Sequence, residues 1–183
     1  TMTNLILPQY AFLSFGDLDG DGDQDALMGG YDSASFQWKI DYYQNTNDQQ
    51  NPVFVLKTGA ENPMNGVDIQ FAAPSMVDVD GDGLLDCLVG EGRLYTDTGG
   101  AAQNGSVHYF HNIGIDAQHP AFTEATPLEN PFSGLNSGSF ATPTLADLDG
   151  DSDLDFYSGS GFGTFMYSRN VGTRDLPAYR DYQ

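Results

Sequence analysis

The chain has 183 residues, enough for one domain with a sizeable core, and carries 26 acidic against 6 basic residues, a formal net charge of −20. That charge argues against nucleic acid and anionic membrane surfaces as partners. Hydrophobic residues at 39% and aromatics at 13% argue against the solvated, disordered chain that such acidity otherwise implies.

Taken in chain order, an apolar segment NLILPQY (Asn4 to Tyr10) precedes the acidic stretch DLDGDGDQD at 17–25. The short apolar piece ALMGG follows, then a join YDSASFQWK (31–39), then DYYQN and Pro52-Val-Phe54. ENPMNG (61–66) opens a second round of the same pattern. Its strands are predicted near 69–77, 86–90, 106–112 and 121–124, around the acidic stretch DVDGDGLLD at 78–86. The long join EGRLYTDTGGAAQNGS (91–106) reads as a loop or hairpin extension, as does 31–39. ENPFSG (129–134) opens a third round, with DLDGDSDLD at 147–155, FYSGS, MYSRN and Pro177-Ala-Tyr179.

The three acidic stretches begin 61 and 69 residues apart, and their flanks repeat in phase. An aromatic stands seven residues before each first aspartate (Tyr10, Phe71, Phe140) and an alanine six before (Ala11, Ala72, Ala141). A hydroxyl stands three before (Ser14, Ser75, Thr144). Downstream, Tyr42, Tyr109 and Tyr167 each precede an asparagine by three (Asn45, Asn112, Asn170). The apolar pieces are too short and too rich in β-branched and aromatic residues for helices, and Gly, Pro, Asn and Asp punctuate them at strand-like intervals. About four strands per copy describe an all-β domain of three consecutive propeller-type blades, with repeats at 1–61, 62–129 and 130–183.

Alternating aspartates make a poor half-buried strand, because one face would be all carboxylate. Two unit charges about 4 Å apart repel by roughly 4 kcal/mol at an effective dielectric near 20. Such a loop must protonate, splay open or bind a cation, and the interleaved glycines favour a cation-binding turn. Calcium, with 6–8 oxygen ligands, fits three sites. The first is assigned Asp17, Asp19, Asp21 and Asp25 with the carbonyl of Asp23. The second has Asp78, Asp80, Asp82 and Asp86 with the carbonyl of Leu84. The third has Asp147, Asp149, Asp151 and Asp155 with the carbonyl of Asp153. Ser152 stands where the other two loops have Gly22 and Gly83, which points to a weaker third site. An EF-hand is excluded, since its twelfth-position glutamate is replaced by Met28, Val89 and Ser158. Magnesium tolerates so many carboxylates poorly, and zinc would want His or Cys.

FAAPSMVDVDGDGLLDCLVG (71–90), followed by VHYFHNIG and PAF, resembles the FG-GAP or VCBS repeat. That repeat is the calcium-binding propeller blade of integrin α-subunits and of many large secreted bacterial proteins. The resemblance covers nearly the whole chain. It implies calcium in a hairpin loop, an extracellular or cell-surface location, and roles in adhesion, binding or assembly. The departures are Ser152 and the lack of a literal Phe-Gly…Gly-Ala-Pro string. Propellers close with 4–8 blades, so three should leave strand edges unpaired. Either the chain is a piece of something larger or copies complete one another, as a homo-oligomer or filament. The segment NLILP either completes its own blade or adds to a neighbour.

Little else carries chemistry. The chain has no G-x-S-x-G, H-E-x-x-H or phosphate-loop motif, so it reads as non-catalytic. His108 and His111, three apart in a predicted strand, face opposite ways and read with His119 as ordinary surface or partly buried residues. Cys87, the single cysteine, reads as a small core residue. No apolar stretch reaches the roughly 18 residues of a membrane span, and no signal peptide is visible. Tyr31, Phe36, Trp38 and Tyr95 read first as loop packing, with carbohydrate stacking as the alternative. Asn104-Gly-Ser is a glycosylation sequon in a loop. The expected function is a calcium-binding structural or adhesive protein that self-associates through open blade edges. The alternative is a module that binds carbohydrate or other surface proteins.

Overall fold

A computed structural model describes residues 8–92, 105–135 and 137–181. Asn4 to Leu7 of the N-terminal segment, Tyr95 and the sequon's Asn104 lie outside these residues. Strands β1 (Gln9–Gly16), β2 (Asp25–Asp32), β3 (Gln37–Asn45) and β4 (Phe54–Lys57) form one sheet. A second contains β5 (Ala73–Val77), β6 (Asp86–Gly90), β7 (Val107–Asn112) and β8 (Phe122–Glu124). A third contains β9 (Thr142–Ala146), β10 (Asp155–Gly159), β11 (Phe165–Asn170) and β12 (Tyr179–Asp181). All three are open antiparallel meanders in sequence order. One 3-10 turn, Gly59–Glu61, is the only helical piece among the described residues.

The first strands pack in succession, β1 on β5 and β5 on β9, while β2 touches β5 and β6 touches β9. Between the first and second sheets lies a core of Leu18, Leu27, Ile40, Tyr42, Cys87, Val89 and Phe110. Between the second and third lies its counterpart, with Val79, Leu88, Val107, Tyr109 and Phe156. The ENPxxG joins supply a plug to each. Asn62 donates to the Ile40 carbonyl at 2.9 Å and Asn130 to that of Val107 at 3.0 Å, and Met64 and Phe132 are thereby buried in the two cores. Cys87 is a core residue, its thiol pushed up to about 12 by burial.

The strand predicted at 69–77 begins only at Ala73, and those at 106–112 and 121–124 each start one residue later. The reason for the first is backbone conformation. Phe71 has φ 52°, and its counterparts Tyr10 and Phe140 have φ 57°, all left-handed. The second and third sheets start their first strand only after this residue, whereas β1 passes Tyr10 with a shift of register between Gln9 and Phe12. The rings meet edge to face across the sheets, Tyr10 to Phe71 at 5.2 Å and Phe71 to Phe140 at 4.7 Å. The join at 31–39 is a hairpin extension, with Tyr31 opposite Trp38.

Sheet spacing is set by two glycines. A Cβ on Gly29 would stand 2.0 Å from the Ala72 carbonyl oxygen, and one on Gly90 2.0 Å from that of Ala141. The obstacle in both is backbone of the next sheet, which cannot swing aside. Gly90→Ala is therefore expected to destabilise the chain by about 3 kcal/mol or to prevent folding, read by denaturant melts. An unchanged midpoint would contradict this packing.

Candidate metal centre

Each acidic loop closes the first hairpin of its sheet. Its first aspartate folds it by accepting a hydrogen bond from the sixth residue. Gly22 N–H donates to Asp17 Oδ2 at 3.1 Å, Gly83 to Asp78 at 3.2 Å and Ser152 to Asp147 at 3.1 Å. The sixth residue is left-handed in all three, with φ of 97°, 90° and 75°. Glycine meets that demand freely, whereas Ser152 carries a strain of roughly 1–2 kcal/mol.

The turn brings carboxylates together. Ligand atoms of Asp17, Asp19 and Asp21 lie within 4.8 Å of one another, as do those of Asp147, Asp149 and Asp151. In the second loop the group is Asp80, Asp82 and His111. Asp78 instead meets Arg174, whose Nη2 stands 3.0 Å from its Oδ2. The seventh residues differ: Asp23 is buried, Leu84 and Asp153 half-buried. Burial, then the neighbouring Asp21, raises the Asp23 carboxyl above its ordinary range.

The ninth aspartates lie apart from these groups, wholly buried, and are gripped by protein donors. Asp25 Oδ2 accepts from Tyr42 OH at 2.8 Å and Leu18 N–H at 3.3 Å, and Oδ1 from Asn45 N–H at 2.8 Å. Asp86 repeats this with Tyr109 at 3.1 Å, Val79 at 3.0 Å and Asn112 at 2.7 Å. Asp155 has Tyr167 at 3.2 Å and Asn170 at 2.9 Å. The asparagine has a second task. Its side-chain oxygen accepts from the next strand's approach, Val53 N–H at 2.8 Å, Ala121 at 3.1 Å and Ala178 at 3.0 Å. The Tyr…Asn repeat of the sequence is thus the lock that holds the acidic loop to β3, β7 or β11. A carboxylate offers about four lone-pair sites, so two or three hydrogen bonds leave room for a cation.

Residues just before these asparagines, Gln44, His111 and Arg169, all reach the aspartate at the third position of their loop. Gln44 donates to Asp19. His111 Nε2 stands 3.1 Å from Asp80. Arg169 Nη2 lies 2.8 Å from Asp149 and 2.9 Å from Asp151. His111, expected to be an ordinary surface or partly buried residue, is partly buried and stands within the second acidic group. His108 faces the other way, towards Glu124 at 2.7 Å, as their spacing predicts. The sequence carried the signal for all three in their constant place between Tyr and Asn.

The residues fit a hard cation best in the first loop. Asp17 Oδ1 and Asp23 Oδ1 are both buried without a hydrogen-bond donor. Such orphaned carboxylate oxygens are costly unless a positive charge meets them. The loop is also covered, since a Cβ on Gly20 would meet Ala117 of the second sheet at 2.4 Å.

Burial pushes the Asp25 and Asp86 carboxyls up to about 6, against the lowering pull of their hydrogen bonds. In metal-free protein the folded state thus holds these protons more tightly than the unfolded chain, where the group titrates at about 4. Their stabilising contribution is full below about pH 4 and is lost as pH rises through 6. Thermal melts in chelator should show stability falling from about pH 4 to 7, less so in Asp25→Asn/Asp86→Asn. Stability that rises over this window would contradict it.

Residues 78–158 match the family model described as FG-GAP-like repeat. The match begins at the first aspartate of the second loop and takes in the whole third loop. No curated protein matches the chain.

Proposed function

Residues 78–158 belong to the FG-GAP-like repeat family, and from that premise we propose that the chain is a non-catalytic, calcium-held module of three propeller-type blades. Its setting is extracellular or cell-surface, and its role is structural or adhesive, through association with further copies of itself. The observation that carries the reading is the first loop: three carboxylates within 4.8 Å, two of whose neighbourhood oxygens are buried and unpaired. Calcium would be held by Asp17, Asp19 and Asp21 with help from Asp23 and Asp25, and by the corresponding residues of the other loops. The ion supplies the charge that lets the hairpin close. The protein supplies the shape, through the left-handed sixth residue and the Tyr–Asp–Asn lock.

The three loops differ in how much charge they still need. Among the described residues the first meets neutral amides, those of Gln44, Gln49 and Gln118. The second meets His111 and Arg174. The third already contains the Arg169 guanidinium between Asp149 and Asp151 and carries the strained Ser152. Calcium therefore fills the first loop most tightly and the third least.

Melting curves in calcium and in EGTA test this. Each ion bound only to the folded state adds roughly 2.7 kcal/mol at a hundredfold excess over Kd. Two filled loops give about 5 kcal/mol, or roughly 10–20 °C for a chain of this size. A melting temperature indifferent to EGTA would refute the role of the cation.

A further inference from the structure

The repeat makes residues of one sheet predict the surroundings of their counterparts. The second residue of each acidic loop is such a marker. Leu18 is 2% exposed and Val79 3% exposed, each packed into the core shared with the following sheet. Leu148, their counterpart, is 66% exposed. Further up the same face, Leu27 and Ile40 in the first sheet and Leu88 and Val107 in the second are buried. The matching residues of the third sheet are Tyr157, half-buried, and Phe165, 71% exposed. The third sheet therefore presents a face of the kind that its two predecessors cover.

The loops show the same step. A Cβ on Gly20 would meet Ala117, and one on Gly81 would meet Arg174 at 2.8 Å, so the β7–β8 and β11–β12 connections each lie over the preceding sheet's acidic loop. Among the described residues nothing lies within 4 Å of a Cβ on Gly150. The third loop lacks its cover.

The first sheet carries both missing parts. Its β3–β4 connection, 46–53, is the counterpart of the two covering connections, with Gln49 in the place of Arg174. Beside it is a cavity of about 520 Å³ lined by Phe15, Gln24, Asn45, Gln49, Pro52 and Phe54. Phe15, Gln24 and Phe54 correspond to Met76, Leu85 and Phe122, which pack against the core that holds Leu18. They also correspond to Leu145, Leu154 and Tyr179, and Leu145 and Tyr179 pack against the core that holds Val79. The cavity is a socket of the same make with no described side chain of this kind in it.

We propose that the chain associates head to tail: Leu148 of one copy enters the first-sheet socket of a second copy, whose 46–53 connection closes over the 147–155 loop. This deepens the self-association in the reading above by naming its surfaces. Arg169 makes the contact feasible, because its ion pairs with Asp149 and Asp151 leave the third loop partly neutralised before the second copy arrives. Apolar residues then meet apolar residues, as in the two internal junctions. The contact uses different patches on the two partners, so the pair keeps one free socket and one free Leu148 for further addition.

Sedimentation velocity over a concentration series, in calcium, tests it. The wild-type chain should grow with concentration from one chain to multiples. Leu148→Asp and Phe15→Asp should each remain single chains, yet form a two-chain species when mixed, because one retains the socket and the other the knob. Should Phe15→Asp unfold, Gln49→Trp blocks the same socket from an exposed position. A wild type that stays single at every concentration overturns the inference. So does a Leu148→Asp that associates like wild type, or a mixture that fails to pair. Calcium uptake measured on the same samples separates the two readings. Uptake without association overturns only the head-to-tail contact, and association without uptake overturns only the role of the cation.

Discussion

A buried carboxylate at the end of each acidic loop is the constraint on which the rest of the structure depends. Asp25, Asp86 and Asp155 sit below the loop surface and bind a tyrosine hydroxyl and an asparagine amide from the third strand of their sheet. That one side chain fixes the loop, the start of the second strand and the end of the third. Removing a partner would leave a buried charge unpaired, among the costlier defects a fold can carry. The asparagine then passes the constraint outward to the fourth strand through its own side chain. The positions that alternate towards the loop surface carry the remaining aspartates, whose repulsion the lock alone does not relieve.

Electrostatics and packing are graded along the chain in the same direction. The first loop is covered by the second sheet and holds two unpaired, buried carboxylate oxygens. The second is covered by the third sheet and meets a guanidinium from it through Arg174. The third has no described residue over Gly150, is strained at Ser152, and is partly neutralised by its own Arg169. The third loop, which no described residue covers at Gly150, thus draws its guanidinium from its own sheet. The exposed apolar surface of the third sheet is a face and a loop, Leu148 and Phe165 above all, beside the edges of three open sheets.

Much of this was legible in the sequence. The all-β class, three units and four strands per unit follow from in-phase repeats that include Tyr, Asn and Pro as well as aspartate. The acidic groups follow from the odd-numbered spacing. The strand start at Ala73 was not legible, because an aromatic gives no sign that it will adopt φ near 52°. Nor was the double role of the ninth aspartate, since spacing shows where a carboxylate lies along the loop but not what grips it from another strand. Gln44, His111 and Arg169 are chemically unlike, so their common position hid behind three different residue types. Only the fold shows that all three point at the same aspartate.

The central claim is that a cation resolves the repulsion of the loop carboxylates. Calcium bound per chain, counted by equilibrium dialysis, tests it most directly. Two tightly held ions are expected, with one lost in Asp19→Asn and a third gained in Arg169→Gln, where the built-in guanidinium no longer neutralises Asp149 and Asp151. A chain that binds no calcium in any of these forms would contradict it.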